Sequence, residues 1–501
     1  MDETSQSDAI EFLHRVCSEA GDNTPPALTH ISRVFFAGAR VFKLKRAVLK
    51  PYLDFSSPEL RCKACARELE LNRRTAQSLY IALRRITREP AGLVFDGPGE
   101  LVDCIVEMQR FDEDLLLDRM AQRDALTPLH MDTLAHSIVA MHTSAEVREG
   151  GAAPLARVLS MNKRAVQESF LNNEPGCDAL LAQMEQALNH LANLLNSRAR
   201  NGKIRRCHGD LTLRNIVLLD GSPTPFDCLE FDEDLATTDV LYDLSFPIMD
   251  LWRLNLAQLG NSLFNRYLDR VNETDGLSLM PLFIAMRAIV RAHVAASMAE
   301  DKPQIREEAR SYFELARKAI ERGPPALFAI GGLSGSGKST LAATLAPMIA
   351  SMPGARILSS DRIRKALFGA QANTRLPPEA YTSEISARVY ALMREQASAC
   401  LDAGWPVIVD AVFDRDEDRA AVRHLADTRG VPFSGFWLQA SMQILQERIS
   451  ARVNDPSDAD VSVLNAQAQR LAAQDAPIQR WRKLDASQPA SVNAQVIAPK
   501  S

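Results

Sequence analysis

The chain has 501 residues, of which 46% are hydrophobic and 24% are charged, and its formal net charge is −5. This balance predicts a folded globular protein and excludes a bulk electrostatic attraction to nucleic acid or to an anionic membrane. The acidic, polar start and the lack of an apolar run of about 18 residues predict neither a signal peptide nor a membrane-spanning helix, so we expect a cytoplasmic protein with no membrane partner.

The eight cysteines are scattered and do not have the spacing of a disulfide framework. Cys62 and Cys65 form a lone CxxC pair in a helical, arginine-rich stretch that lacks a second ligand pair for a metal. We therefore expect reduced cysteines that pack in the core.

The first part of the chain predicts a small strand-rich lobe. The segment HISRVFFAGARVFKLKRAVL predicts two strands joined by a glycine turn, residues 58–86 predict a helix, and GELVDCIVEMQRF predicts a further strand. Helical periodicity then dominates residues 112–200 and continues to about residue 321, interrupted by IRRC and NIVLLD, two short strand patterns that flank the polar loop HGDLTLRN.

This order predicts an α+β, bilobal, protein-kinase-like domain over residues 1–322, with a small lobe at about 25–111 and a large helical lobe at about 112–322. Pro324 and Pro325 cannot continue the preceding helix, so a linker is predicted at 323–326. Over residues 327–501 strand and helix patterns alternate, which predicts an α/β P-loop domain with a parallel sheet.

The loop HGDLTLRN has the residues that phosphoryl transfer requires. Asp210 is a candidate base for an acceptor hydroxyl, and Asn215 is a candidate Mg²⁺ ligand. Asp227, in the next hairpin segment PFDCLEFDED, is a candidate second carboxylate ligand of Mg²⁺. Asp210 can instead be a simple turn cap, but the register of Asn215 and Asp227 favours the catalytic interpretation.

These residues resemble the aminoglycoside and choline phosphotransferase families over roughly residues 25–320. The resemblance implies a strand lysine on the nucleotide phosphates, paired with a helix glutamate. Lys43 and Lys45 alternate onto one face of a strand; we prefer Lys45, with Glu68 rather than Glu70 as its partner. No GxGxxG loop covers the phosphates, so an inert pseudokinase is the alternative.

The segment GGLSGSGKST contains a P-loop between an apolar strand and a helix. Its glycines let backbone N–H groups surround a phosphate, the lysine reaches the phosphate oxygens, and the serine is a Mg²⁺ ligand. The candidate ATP-binding residues are Gly332, Gly335, Ser336, Gly337, Lys338, Ser339 and Thr340.

Candidate acceptor residues follow the later strands. Asp361 is a candidate base at a strand's carboxyl end, Arg364 can hold an acceptor anion, and Asp410 suits metal-water or acceptor contacts. Arg448 and Arg452 share a helical face and are candidate lid arginines over the transferring phosphate, unless they form a solvated surface.

The region from about 326 to 501 resembles small P-loop kinases of the gluconate-kinase, zeta-toxin and polynucleotide-kinase types. The whole chain resembles a bacterial family of tandem kinases. The resemblance implies a bifunctional, ATP- and Mg²⁺-dependent phosphotransferase that acts on hydroxyls of small molecules such as sugars, sugar derivatives or nucleosides.

Two alternatives stay open. The motif Asp361-x-x-Arg364 fits a kinase of nucleic-acid 5′-hydroxyls, and the missing glycine-rich loop fits a nucleotide-binding regulator. The basic stretch RARNGKIRR can hold an anion or a nucleic-acid backbone, although its Asn-Gly centre favours a surface hairpin.

Overall fold

A computed structural model describes residues 6–50, 53–299, 302–451, 457–473 and 481–498. The chain divides into two units, residues 1–158 with 195–247 and residues 159–194 with 248–501. Within the described residues the strands are β1 Ala27–Leu28, β2 Ser32–Ala37, β3 Arg40–Lys45, β4 Leu49–Lys50, β5 Leu53–Asp54, β6 Tyr80–Glu89, β7 Gly92–Phe95, β8 Glu100–Gln109, β9 Ile204–Arg206, β10 Ile216–Leu219, β11 Ser222–Pro225, β12 Thr237–Asp239, β13 Leu327–Gly332, β14 Arg356–Ser359, β15 Val407–Asp410, β16 Phe433–Gln439 and β17 Arg482–Asp485.

The α-helices among the same residues are α1 Ser7–Glu19, α2 Pro58–Asn72, α3 Leu117–Gln122, α4 Pro128–Ser144, α5 Ala152–Gln167, α6 Cys177–Arg200, α7 Glu233–Ala236, α8 Val240–Arg253, α9 Ala257–Leu268, α10 Met280–Ser297, α11 Pro303–Ile320, α12 Lys338–Leu345, α13 Ser360–Leu367, α14 Ser383–Asp402, α15 Asp416–Arg429, α16 Met442–Ser450, α17 Val461–Ala472 and α18 Ala490–Ile497.

The first unit is built on a six-stranded antiparallel sheet with the order β1-β2-β3-β8-β6-β7. Because strand side chains alternate, its two faces have different partners. Phe35, Phe42 and Ile105 on one face pack against α1. Val106 and Met108, on the other face, share a core with Cys65 of α2 and with Phe226. Lys43 and Lys45 project toward α2, as their spacing predicts, and both contact its Glu68.

The second unit contains a five-stranded parallel sheet with the order β14-β15-β13-β16-β17. Strand β13 is buried at every position, as expected for the central strand of a parallel sheet. Helix α12 follows it directly and packs its apolar face on the same core. The predicted classes, a kinase-like first region and a P-loop region with a parallel sheet, are confirmed; the predicted linker at 323–326 lies between α11 and β13 and stays a prediction.

One secondary-structure prediction is wrong. The helix predicted over residues 58–86 ends at Asn72, and residues 80–89 form β6 instead. The Asn72 side chain donates to the carbonyl of Glu68 one turn earlier, and its Oδ1 accepts from the Cys228 amide. The apolar residues after it gain their partners by pairing with β8 rather than by continuing the helix.

The cysteine prediction is wrong at one pair, because a disulfide joins Cys62 of α2 to Cys104 of β8. The Cys65 thiol donates to the Cys104 carbonyl from the same helix. Six other cysteines are free and buried, as core packing predicts.

One described helical stretch, Thr274–Ser297, is long and apolar enough by length and composition to cross a membrane. Of its most apolar window, 72% is buried inside the protein. It is therefore a weak indicator, since core helices pass the same test, and here α10 packs along α11.

Candidate functional site

The HGD loop of the first unit lies between β9 and β10 and is held by a buried carboxylate. Asp243, in the first turn of α8, accepts from the backbone N–H of His208 (3.2 Å) and of Gly209 (2.9 Å). His142 contacts the same carboxylate at 3.1 Å. Because Asp243 is fully buried, these charge-assisted bonds fix the loop that carries Asp210.

His208 is itself part of this frame. Its ring Nε2 lies 2.9 Å from the Phe226 carbonyl, so it acts as a donor there. Burial lowers the pKa of His208, against the attraction of Asp243 and Asp210. A neutral imidazole thus connects the HGD loop to the residue before Asp227.

The three predicted catalytic and metal residues lie in this frame. The Asn215 amide donates to the Asp210 carboxylate at 2.8 Å and to its carbonyl at 2.9 Å. The Asp210 side chain is 31% exposed and accessible to an acceptor. Asp227 follows Phe226 in a left-handed conformation (φ 57°), with its amide donating to the Tyr80 hydroxyl.

Two lysines and three carboxylates form a network under the small-lobe sheet. Lys43 donates to Glu68 at 2.7 Å and also contacts Asp227. Lys45 contacts the other Glu68 oxygen and Glu230, and its side chain is fully buried. Burial raises the pKa of Glu68, but Lys43 and Lys45 outweigh that effect and lower it. Burial raises the pKa of Glu230, partly opposed by Lys45.

A cavity of about 500 Å³ opens beside this network. Its walls are apolar at Val34, Phe36, Val41 and Met108, and its polar end is formed by Lys43, Tyr80 and Asp227. Its size and its apolar wall with a charged end suit a nucleotide. Lys43 lines the cavity and the buried Lys45 does not, so the geometry favours Lys43 over the preferred Lys45 for phosphate contact.

The β2–β3 turn near this cavity is short. Only Gly38 and Ala39 connect the two strands, and the Gly38 amide donates to Asp22 at 3.1 Å. Arg110 donates to the same carboxylate at 2.6 Å and lies over the Phe36 ring. The hairpin is therefore tied down, and it is not a long glycine-rich flap.

In the second unit, the P-loop connects β13 to α12 in a conformation that requires glycine. A Cβ at Gly335 (φ 83°) would lie 2.6 Å from the Leu445 carbonyl, and one at Gly332 would lie 2.7 Å from the Ser336 hydroxyl. Among the described residues, the buried Ser336 Oγ has no hydrogen-bond partner. An unsatisfied donor in a glycine-walled cradle fits a phosphate.

Lys338 and Ser339 of the P-loop are hydrogen-bonded to neighbouring groups. Lys338 Nζ donates to the Leu333 carbonyl across the loop at 3.1 Å. Ser339 Oγ donates to Asp410 at 2.6 Å, at the carboxyl end of β15. Burial raises the pKa of Asp410 to about 6, while Lys338 and Ser339 oppose the shift and the charge of Asp361 adds to it. Thr340 is exposed on α12.

Asp361 and Arg364, the residues predicted to act on the acceptor, differ in position and in contacts. Asp361 lies in the first turn of α13 and is close enough to act on Asp410 electrostatically. Arg364 is buried: its guanidinium donates to the Ala380 carbonyl at 2.6 Å and lies over the Tyr381 ring. Arg364 thus holds the segment before α14, and its contact with an acceptor anion stays a prediction.

Of the two predicted lid arginines, the structure describes one. Arg448 lies in the last turn of α16 and is half-buried, whereas Arg452 lies outside the described residues. Asp458, beyond that gap, accepts from Lys365 (2.6 Å) and from the Leu376 amide (3.0 Å), and it also contacts Tyr381. This cluster joins Asp458 to α13 and to the segment before α14.

Several residues of these sites have no motif in the sequence. In the second unit, Gln467 of α17 accepts from the Ser334 amide of the P-loop at 2.9 Å. In the first unit, Glu230 and Asp243 balance the lysines and hold the HGD loop. The only sequence signal is that Glu230 lies in the polar segment that follows Asp227, whereas Asp243 lies in an apolar helix.

Three arginines of the basic stretch RARNGKIRR make structural contacts. Arg198 is buried and pairs with Asp239 at 2.8 Å, and Arg206 is buried and pairs with Glu233 at 2.8 Å. Arg205 donates to the carbonyls of His142, Thr143 and Ala145. These guanidinium groups have protein partners, so the predicted solvated hairpin is not observed.

The proteins similar to this chain match different parts of it. Residues 327–474 match a family model described as an AAA domain. A Mycobacterium tuberculosis protein described as uncharacterized is 29% identical over 458 residues, 89% of each chain. An adenylyl-sulfate kinase of Myxococcus xanthus is 33% identical over 117 residues, which cover 23% of this chain and 59% of that relative. A solved choline/ethanolamine kinase family protein of Mesorhizobium loti is 13% identical, with 63% of this chain and 95% of that chain covered and a TM-score of 0.39.

The two lysines should respond differently to substitution. Lys43→Met should lower turnover by the first unit about a hundredfold, since a phosphate-facing charge is lost. Lys45→Met should mainly destabilise, by about 3–5 kcal/mol, because it leaves buried Glu68 and Glu230 without that partner. Activity assays and denaturant unfolding of both variants check this, and a larger stability loss in Lys43→Met would contradict it.

Asp410 should make the second site pH-dependent. Its pKa of about 6 lies above the ordinary 3.8, so folding disfavours the charged form. The resulting free-energy cost to folding is absent below pH 3.8 and is greatest above pH 6. Asp410→Asn should therefore raise the melting temperature at pH 8 while lowering activity. The exposed Asp427→Asn is the control, and a lower melting temperature in Asp410→Asn at pH 8 would refute the raised pKa.

The family model and the geometry of the glycine-walled loop together assign residues 327–474 to a P-loop domain, which follows the region that carries the HGD loop.

Proposed function

We propose that the chain is a bifunctional phosphotransferase, in which each region transfers the γ-phosphate of ATP to a hydroxyl of a small-molecule acceptor. The observation that carries the proposal is that each region brings a carboxylate and a phosphate-binding arrangement together independently. In one, Asp210 and Asn215 lie in the frame that also places Asp227; in the other, Lys338 and Ser339 lie beside Asp410.

In the first region Asp210 is the proposed base. It accepts the proton of the acceptor hydroxyl as that oxygen attacks the γ-phosphorus and the bond to the leaving ADP oxygen breaks. Asn215 and Asp227 would hold Mg²⁺, which when bound screens the phosphate charge. Lys43, fixed by Glu68, would hold the nucleotide phosphates at the polar end of the cavity.

In the P-loop region Asp361 is the proposed base, which would accept the proton of the acceptor hydroxyl during the transfer. The glycine-walled loop and Lys338 would hold the β- and γ-phosphates, and Ser339, oriented by Asp410, would hold Mg²⁺. Arg448 and Arg452 are the proposed lid arginines that stabilise charge on the transferring group.

Small-molecule acceptors are favoured over nucleic acid for three reasons. Arg198 and Arg206 are paired with carboxylates inside the fold, and the net charge is −5. The P-loop region is also similar to an adenylyl-sulfate kinase, whose acceptor by its name is a small molecule. A kinase that uses cytoplasmic ATP is itself proposed to be cytoplasmic.

The test uses wild type, Asp210→Ala and Lys338→Ala with Mg²⁺, γ-labelled ATP and a bacterial small-molecule extract, with products identified by mass spectrometry. Each substitution should remove a different labelled product by at least about a hundredfold, because each removes the base or the phosphate-binding charge of one site.

Other outcomes select the alternatives. If only Lys338→Ala removes product, the first region is an inert nucleotide-binding regulator, as the short β2–β3 turn suggests. Labelling of an RNA or DNA 5′-hydroxyl in a Lys338-dependent manner would replace the small-molecule acceptor with a nucleic-acid end. If neither substitution changes any product, the phosphotransferase proposal fails.

A further inference from the structure

Strand β14 is an edge strand of the parallel sheet in the second unit. It pairs with β15 on one side only, and among the described residues no strand pairs with its outer edge. Backbone N–H and C=O groups of a buried edge need other hydrogen-bond partners. In this protein those partners are side chains of helix α9.

Two asparagines of α9 take the place of a neighbouring strand. Asn265 Oδ1 accepts from the Ile357 amide at 2.7 Å, and its Nδ2 donates to the Ala355 carbonyl at 3.2 Å. Asn261 Nδ2 donates to the carbonyls of Ala355 (3.0 Å) and Pro353 (2.8 Å). A carboxamide offers the same donor and acceptor as a peptide group, so it can complete a strand edge.

A buried ion pair reinforces the contact. Arg356, the first residue of β14, donates to Asn265 Oδ1 at 3.0 Å and to Asp269 at 2.7 Å. Asn261 and Asn265 are fully buried, and Arg356 is 6% exposed. Buried polar groups that are hydrogen-bonded across two elements in this way fix one arrangement of those elements.

The other end of β14 enters the proposed phosphotransfer site. Ser359 is paired in register with Asp410 of β15, the residue that accepts from Ser339. Ser360 begins α13, and Asp361, the proposed base, lies in its first turn. A shift of this short strand along its edge would displace the base relative to the P-loop, which is carried by β13.

We propose that Asn261, Asn265 and Asp269 are positioning residues of the P-loop phosphotransfer site. Helix α9 holds β14, and β14 holds Ser359 and Asp361 against the nucleotide. The helix lies outside the segment 327–474 that matches the family model, so the site depends on a part of the chain that the family does not include. The inference rests on the function proposed above for this site.

The test uses full-length protein with Asn265→Ala and with Asp269→Asn, the milder change. Gln258→Ala, an exposed position on the same helix, is the matched control. Turnover is measured with Mg²⁺, γ-labelled ATP and small-molecule extract, and the parts lost in Lys338→Ala and in Asp210→Ala report the two sites separately. Thermal melting verifies that each variant is folded at the assay temperature.

Asn265→Ala should lower the Lys338-dependent turnover about tenfold. A tenfold loss corresponds to the free-energy cost of leaving a buried backbone group without a hydrogen-bond partner. The KM for ATP should change by less than about twofold, because the phosphate-binding loop itself is untouched. Asp269→Asn should have a smaller effect in the same direction, and Gln258→Ala none. Turnover that depends on Asp210 should be unchanged in all three.

Unchanged Lys338-dependent turnover in Asn265→Ala, or a proportional loss at both sites, would overturn the inference. If wild type shows no Lys338-dependent turnover, the proposed function fails, and hydrogen exchange of residues 353–361 decides about α9. Faster exchange in Asn265→Ala but not in Gln258→Ala would support its hold on β14, and equal exchange would refute it.

Discussion

Both candidate sites depend on one electrostatic constraint: a buried charge must be balanced by another protein group. In the first unit Lys43 and Lys45 are balanced by Glu68, Asp227 and Glu230. In the second, the buried Asp410 carboxylate accepts from Ser339 and lies near Lys338. Its pKa is raised because these partners do not fully offset the effect of burial. The rest of each fold delivers these groups to one place.

The two solutions have different consequences. In the network of the first unit the lysines are closely paired with carboxylates, so Lys43, which faces the cavity, is held in place by Glu68 and Asp227. In the P-loop site the polar groups are less fully balanced: the Ser336 hydroxyl has no hydrogen-bond partner among the described residues, and the Asp410 carboxyl has a raised pKa. A site of the second kind gains more from a bound cation than a site of the first kind.

Local motifs of fixed spacing could be predicted from the sequence. HGD with Asn215 and the P-loop depend on neighbours a few residues apart, and the alternation of strands and helices follows from burial. Strand β6 was mistaken for helix because a short apolar run fits both periods until its partner β8 is known. The choice between Lys43 and Lys45 depends on depth, which two residues of one strand face do not reveal.

Residues that arrive from distant segments could not be predicted. Asp243, Glu230 and Gln467 act across separations that leave no spacing pattern, and Cys62 meets Cys104 only because α2 lies on β8. Arg198 and Arg206 of RARNGKIRR were expected on a surface hairpin because their acidic partners, Asp239 and Glu233, follow 41 and 27 residues later. Charge read along a sequence says little about charge on a surface.

The asparagine-capped edge of β14 also bears on how such a gene can evolve. The outer strand of the sheet takes its hydrogen-bond partners from a helix encoded upstream of residue 323. If the gene were split there, one product would have an unpaired strand edge, and the other would have asparagine side chains without their partners. Ancestors of the two parts, if they existed separately, must have closed that edge in another way. The fusion is then hard to reverse, and homologues that carry the P-loop segment alone should have a different residue pattern at this edge.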